Sequence, residues 1–190
     1  MTRKAYLVMD RDYLYNDETF SPWFEDHICT APIKVLPSRA EAEQLARELS
    51  APRFRGLVLG DYTLDGVQEL THLKLPDFYR QLSDLLQNPA IVPKGKLSSD
   101  ESWRDIEIPA RLDDARLFQV MGLLSKIRFY EVIESTTTDP ALLQQAEQTI
   151  NKGVVDLDEY EIRTYTAPEA EISKAVSAFG LEFEPFDGGI

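Results

Sequence analysis

The sequence predicts an α+β protein, with a mixed or antiparallel sheet of about six strands and about five helices covering mainly one face. Three observations carry this. Short apolar runs such as Ala5–Met9 lie between charges and turn formers and read as strands. Segments with apolar side chains at helical spacing separate most of these runs. The last two strands, around Tyr160–Thr164 and Leu181–Glu184, alternate apolar and charged residues, whereas a doubly wound parallel sheet would hold continuous apolar runs.

Taken in order, Ala5-Tyr6-Leu7-Val8-Met9 is a buried strand that empties into the acidic, aromatic stretch Asp10–Glu18. Residues 10 to 32 read as irregular, with Asn16-Asp17 and Ser21-Pro22 as turn formers. Ile33–Leu36 is a short strand. Ser38 followed by Glu41 has the spacing of a capping box, which would satisfy two unpaired backbone donors, and the helix it opens is expected to run to about Leu49 because Pro52 opposes continuation. Phe54–Leu59 is the next strand, closed by Gly60-Asp61. Pro76 and Asp77 open a helix with Phe78, Leu82, Leu85 and Leu86 on one face, stopped by Asn88-Pro89.

The stretch 89–109, with its prolines and the cluster Ser98–Ser102, reads as irregular, with a short helical turn near Trp103. Asp113 and Asp114 sit against the positive end of a helix whose stripe is Leu117, Val120, Met121 and Leu124. Ile127–Glu134 carries apolar groups on both alternating sets, which predicts a strand central in its sheet. Thr138-Asp139-Pro140 caps a helix burying Leu142, Leu143, Ala146 and Ile150 up to Gly153. Thr166, Pro168 and Glu169 begin the last helix, which buries Ile172, Val176 and Phe179 and stops at Gly180. The whole reads as one domain, 1–190, divisible into lobes 1–88 and 110–190 joined by 89–109.

The chain has 190 residues, 43% of them hydrophobic, enough for a core of its own. No apolar run reaches the length of a membrane span or signal peptide, and the single cysteine, Cys29, cannot form an internal disulfide, so a cytoplasmic protein is expected. The net charge of −13 argues against direct binding of nucleic acid or anionic lipid and favours a basic protein partner. From Phe129 onward three basic residues, Lys152, Arg163 and Lys174, face thirteen acidic ones, so the negative field is concentrated in the C-terminal part.

Chemistry-bearing patterns are sparse. His27 and Cys29 could share a metal with a carboxylate such as Asp12 or Asp26, but a second Cys or His cluster is missing. Side chains two apart on a strand are about seven ångströms from each other, too far for a thiolate and its base. Phosphate-loop, dinucleotide-binding and nucleophile-elbow motifs are absent, and no cofactor is implied. Asp10, Asp12, Asp17 and Glu18, joined in space by Asp61 and Asp65, could hold a divalent cation for hydrolysis; solvated turn acids are the plainer reading. The near-terminal Gly188-Gly189 resembles the ending of ubiquitin-like modifiers, but Ile190 follows it and a frayed end is the plainer reading here too.

Tyr13, Tyr15 and Trp23, set among Asp, Asn, Ser and Pro, are difficult to bury completely, and such residues carry binding energy at interfaces. With Asp12, Asp17 and Glu18 they form the expected contact patch. The balance of motifs therefore favours a non-enzymatic interaction protein, an adaptor, accessory subunit or inhibitor of a basic partner. A carboxylate-based metal-dependent hydrolase, and mimicry of nucleic-acid charge by residues 129–187, are the two alternatives.

Overall fold

The computed structural model describes residues 3–10, 13–15, 22–24, 32–60, 64, 71–93, 105–125, 127, 129–137, 139–157 and 163–182. It is a mixed α+β structure with small antiparallel sheets. Backbone proximity gathers the chain into two compact units, each assembled from separated stretches: Met1–Asp12, Asp26–Arg47 and Tyr130–Ile190 in the first, Tyr13–Glu25 and Glu48–Phe129 in the second.

In the first unit the apolar run near the N-terminus becomes β1 (Arg3–Asp10), the middle strand of a three-stranded sheet in the order β4-β1-β7, with β4 at Lys34–Leu36 and β7 at Tyr130–Thr137. Both partners run antiparallel to it. Alternation along β1 puts Ala5 and Leu7 on one face, where they pack with Val35 against α4 (Pro140–Gly153) and α5 (Glu169–Ser177). Leu143, Ala146 and Ile150 of α4 and Ile172, Ala175 and Val176 of α5 complete that core, together with Phe179. Full burial of each large side chain contributes roughly 1.5–3 kcal/mol, so this layer is the main source of the unit's stability.

The helix ends follow local chemistry. Asp139 Oδ1 accepts from Ala141 N at 3.0 Å and Pro140 occupies the first helical position of α4, as the sequence predicts. At the end of α5, Gly180 takes φ 75°, its N–H donates to Ser177 O at 3.0 Å, and Leu181 N donates to Val176 O at 3.4 Å. This is a Schellman ending, and Leu181 packs back onto the core as that motif requires. The outer edge of β4 is closed by a side chain: Val35 N donates to Asn151 Oδ1 at 2.8 Å, and Asn151 Nδ2 donates to Val35 O at 3.0 Å.

The second unit holds β2 (Tyr13–Tyr15) paired with β3 (Pro22–Phe24), β5 (Val58–Gly60) paired with β6 (Asp105–Glu107), and the helices α2 (Leu75–Leu86) and α3 (Asp114–Leu123). Helix α1 (Arg39–Phe54) is divided between the two units after Arg47. Helices α2 and α3 pack on each other and bury Phe78, Tyr79, Leu82 and Leu86 from one and Leu117 and Val120 from the other. Asp113 Oδ1 accepts from Arg116 N at 3.0 Å and caps α3. Arg55 ties the loop preceding this helix to its first turn: its guanidinium donates to Ala110 O at 3.0 Å and to Leu112 O, and pairs with Asp114.

Several expectations are corrected. Among the described residues the strands do not form one sheet of about six; three belong to the β4-β1-β7 sheet, two to the β5-β6 sheet, and β2-β3 and the pair β8 (Val154–Leu157) and β9 (Arg163–Tyr165) stand as separate ribbons. Helix α1 runs through Pro52 to Phe54. The proline withdraws one N–H in the last turn, a small loss there, while Phe54 is buried and its ring meets Phe129 edge-on at 5.3 Å. Consequently β5 begins at Val58 rather than Phe54. Residues 10–32 are not wholly irregular, because they contain β2 and β3. Within 89–109, Asp105–Glu107 is a strand, extended by Gly56 N to Ile108 O at 2.8 Å and Ile108 N to Leu57 O at 2.9 Å. The turn expected near Trp103 lies outside the described residues.

Strand β7 starts at Tyr130 rather than Ile127 and continues to Thr137, because β1 offers eight residues and pairs with all eight, from Arg3 with Thr137 to Asp10 with Tyr130. Among the described residues β7 is an edge strand rather than a central one. Strand β8 (Val154–Leu157), pairing with β9 (Arg163–Tyr165), follows α4 directly, in a stretch where the residue pattern predicts no strand. Leu181 and Glu182 are not in a strand, and the rest of that expected strand lies outside the described residues.

Candidate functional site

The contact patch read from the sequence falls partly on the β2-β3 ribbon. Tyr13 stands opposite Phe24, Leu14 opposite Trp23 and Tyr15 opposite Pro22. The fold thus brings Tyr13 and Tyr15 together on one pair of strands with Trp23, which lies eight to ten positions further along the chain. Asp12, Asp17 and Glu18 lie outside the described residues, as do His27, Cys29, Asp61, Asp65 and the Gly188-Gly189 tail. Asp10 is the last residue of β1, and His72 is exposed. Among the described residues no group of three or more His, Cys, Asp or Glu is placed to hold a metal ion. No described helix is long and apolar enough to cross a membrane.

A second surface is a groove between α4 and α5, formed by two adjoining depressions of about 330 and 440 Å³. They share Gln145, Thr149 and Glu171. The floor of the first is made by Ala146, Ala175 and Ala178, whose small side chains leave the space open between the helices. Lys174 lines the first depression, and Lys152 and Thr166 line the second. Thr149 Oγ1 donates to Gln145 O at 3.1 Å, and Thr166 Oγ1 to Lys152 O at 2.7 Å. The described lining residues include no Ser, His or Cys, so this groove offers hydrogen bonds and charge rather than a nucleophile with its base. Periodicity identifies the buried stripes of both helices from the sequence; the only local signal for the groove is alanine at three positions where a core would accept larger side chains.

A charge cluster covers part of the opposite sheet face. Lys4 pairs with Glu134 on the neighbouring strand, and Arg39 Nε donates to Glu43 Oε1 at 2.8 Å. The hydrogen bond from Lys4 holds the Glu134 carboxyl below its ordinary value of 4.5, aided by the charges of Lys4 and Arg39 and a hydrogen bond from Tyr6, against partial desolvation. In turn Glu134 raises Lys4 above its ordinary 10.5. Arg39 is likewise raised, first by its hydrogen bond to Glu43. These groups are solvent-exposed and fully charged at neutral pH, so they fix local geometry and supply no titrating acid or base.

In the second unit a further groove of about 580 Å³ lies between α2 and α3, with Leu73, Leu85 and Leu123 among its lining residues and Asp84 at its rim. No protein-family model, no curated protein and no solved structure matches this chain.

Proposed function

We propose that this chain is a non-enzymatic protein-binding protein of the cytoplasm, an adaptor, accessory subunit or inhibitor, and that its partner is basic. The observation that carries the reading is the charge distribution: thirteen acidic against three basic residues from Phe129 to the end, within a net charge of −13. Glu134, Asp139, Glu169, Glu171 and Glu182 from this part are exposed, so their field reaches solvent. Such a field steers a basic partner and raises its association rate, while affinity comes from buried aromatic anchors. Asp12, Tyr13, Tyr15, Asp17, Glu18 and Trp23 are the proposed contact residues.

The test is capture of host proteins on the immobilised chain at low and at high salt, with identification by mass spectrometry. The expected result is a basic protein released as salt rises, whose binding weakens when Tyr13, Tyr15 and Trp23 are changed to alanine. A partner that is acidic, or held equally at all salt concentrations, refutes the reading. Competition by duplex DNA for the same partner would transfer support to nucleic-acid mimicry. A rise in melting temperature with Mg²⁺ or Mn²⁺, lost in Asp10→Asn, would transfer it to a metal-dependent hydrolase.

A further inference from the structure

We propose that the outer edge of β7 receives an extended, basic segment of the partner as a fourth strand of the β4-β1-β7 sheet. The inference rests on the reading that the partner is basic, and it adds a contact on the first unit. Strand register decides which backbone groups face outward, because successive residues of an antiparallel strand turn their N–H and C=O to one neighbour and then to the other. Val35 gives both groups to Asn151, so they point away from β1. Its neighbours Lys34 and Leu36 therefore face Val8 and Tyr6, and the bond from Ile33 N to Val8 O at 2.8 Å agrees with this. Ala5, Leu7 and Met9 are left to bond β7, where they stand opposite Ser135, Ile133 and Glu131. Val132, Glu134 and Thr136 then present their N–H and C=O groups at the outer edge. Among the described residues no strand pairs with that edge.

The two edges of this sheet are thus treated differently. Asn151 closes β4, whereas β7 pairs with β1 over eight residues without a bulge and holds no proline, glycine or lysine to blunt its edge. A row of outward donors and acceptors specifies an extended chain, since a helix satisfies its own backbone groups. Side chains specify its charge: β7 carries Glu131 and Glu134 and no cation. Lys4 engages Glu134 from β1, and a carboxylate has lone pairs for a further donor arriving from the open side. Val132 and Ile133, half-buried on opposite faces, offer apolar contact to side chains that alternate with the basic ones. A second copy of the chain fits poorly. Antiparallel pairing of two β7 strands about Glu134 or Ile133 sets Glu134 opposite or diagonal to its own counterpart, and the net charge of −13 adds to the repulsion.

The test uses the full chain, labelled with ¹⁵N, and two blocked hexapeptides, acetyl-Thr-Lys-Val-Lys-Val-Thr-amide and its counterpart with glutamate in place of lysine. In the free chain, amide exchange followed by NMR should be faster at Val132, Glu134 and Thr136 than at Ile133 and Ser135. Saturating basic peptide should slow exchange at those three, and the acidic peptide should bind at least about threefold more weakly, the size expected for cross-strand charge pairs. Thr136→Pro removes an outward donor at an exposed position, where an edge strand accepts proline, and should weaken binding of the basic peptide about fivefold. A far-ultraviolet spectrum checks that this variant folds, and the exchange pattern of the unaltered chain decides independently of it. Slow exchange at the three amides in the free chain, equal binding of the two peptides, or undiminished binding by folded Thr136→Pro overturns the inference. Protection that appears only as protein concentration rises, with a doubled mass by light scattering, overturns it in favour of a second copy. A basic partner captured equally by Thr136→Pro and by the unaltered chain overturns it too, while the basic-partner reading stands. If the unaltered chain captures no basic partner, that reading fails and the inference with it.

Discussion

Replacing Asn151 with alanine removes the side chain that stands in for a missing strand at the edge of β4. Val35 N–H and Val35 C=O both lose their partner, the two bonds being 2.8 and 3.0 Å long in the intact protein. Val35 itself is 2% exposed, so water replaces these partners poorly. Each backbone group deprived of its bond costs about 1–1.5 kcal/mol at a partly buried site. Alanine recovers roughly 0.5 kcal/mol through its higher helix propensity. The net loss is about 2 kcal/mol, or roughly a thirtyfold shift in the unfolding equilibrium. Urea unfolding followed by circular dichroism should show a lower midpoint with an unchanged slope. Hydrogen exchange at the Val35 amide should accelerate in the same variant. A change below about 0.5 kcal/mol, well under the value expected for two lost bonds, together with unaltered exchange at Val35, would refute the claim that Asn151 closes this edge.

Other outcomes follow from the same geometry. Gln87 ends α2 with φ 52°, in the left-handed region, where its N–H reaches Asp84 O at 3.3 Å and Asn88 N reaches Ser83 O at 3.0 Å. Gln87→Gly should therefore raise stability by about 0.5–1 kcal/mol in thermal or urea unfolding, and a loss would contradict that backbone conformation. Arg55→Met should cost about 1–2 kcal/mol because the carbonyls of Ala110 and Leu112 lose a charged donor, whereas Asp114→Asn, at an 80% exposed carboxylate, should cost under about 0.5 kcal/mol. Equal losses would show that the ion pair, rather than the loop anchoring, is what matters. For Glu134 the lowered pKa means that its pairing stabilises the fold above the ordinary value of 4.5 and is lost as pH falls through the depressed one; for Lys4, raised above 10.5, the contribution is present below that value and lost as pH rises through the folded one. NMR titration of Glu134 in Lys4→Met should show its midpoint returning upward, and an unmoved midpoint would remove Lys4 as the cause.

Periodicity and end signals sufficed wherever a segment's structure depends on its own residues. The stripes Phe78-Leu82-Leu86, Leu117-Val120 and Ile172-Val176 are buried as their spacing requires, and Asp113, Asp139 and Gly180 mark helix ends with the local chemistry expected of them. Of the candidate sites less was legible. Tyr13, Tyr15 and Trp23 stand out by residue type, yet only backbone pairing puts them on one ribbon. The α4-α5 groove shows in the sequence only as Ala146, Ala175 and Ala178, because Gln145 and Glu171 are ordinary exposed helix residues until packing makes both line one trough.

What the chain determined alone, then, is its α+β character, the helices with their caps and buried faces, and an acidic balance weighted toward its C-terminal part. These are properties of side-chain type at short separations, and they hold whatever the segments pack against. Only the tertiary structure decided that the strands divide into small antiparallel sheets, that β7 slides to match all eight residues of β1, and that Asp105–Glu107 becomes a strand by pairing with β5. Strand pairing joins residues far apart in sequence, and its register is set by the partner's length and hydrogen-bonding edge. The same reason explains Phe54: burial against Phe129 carries α1 past a proline that, read alone, ends it.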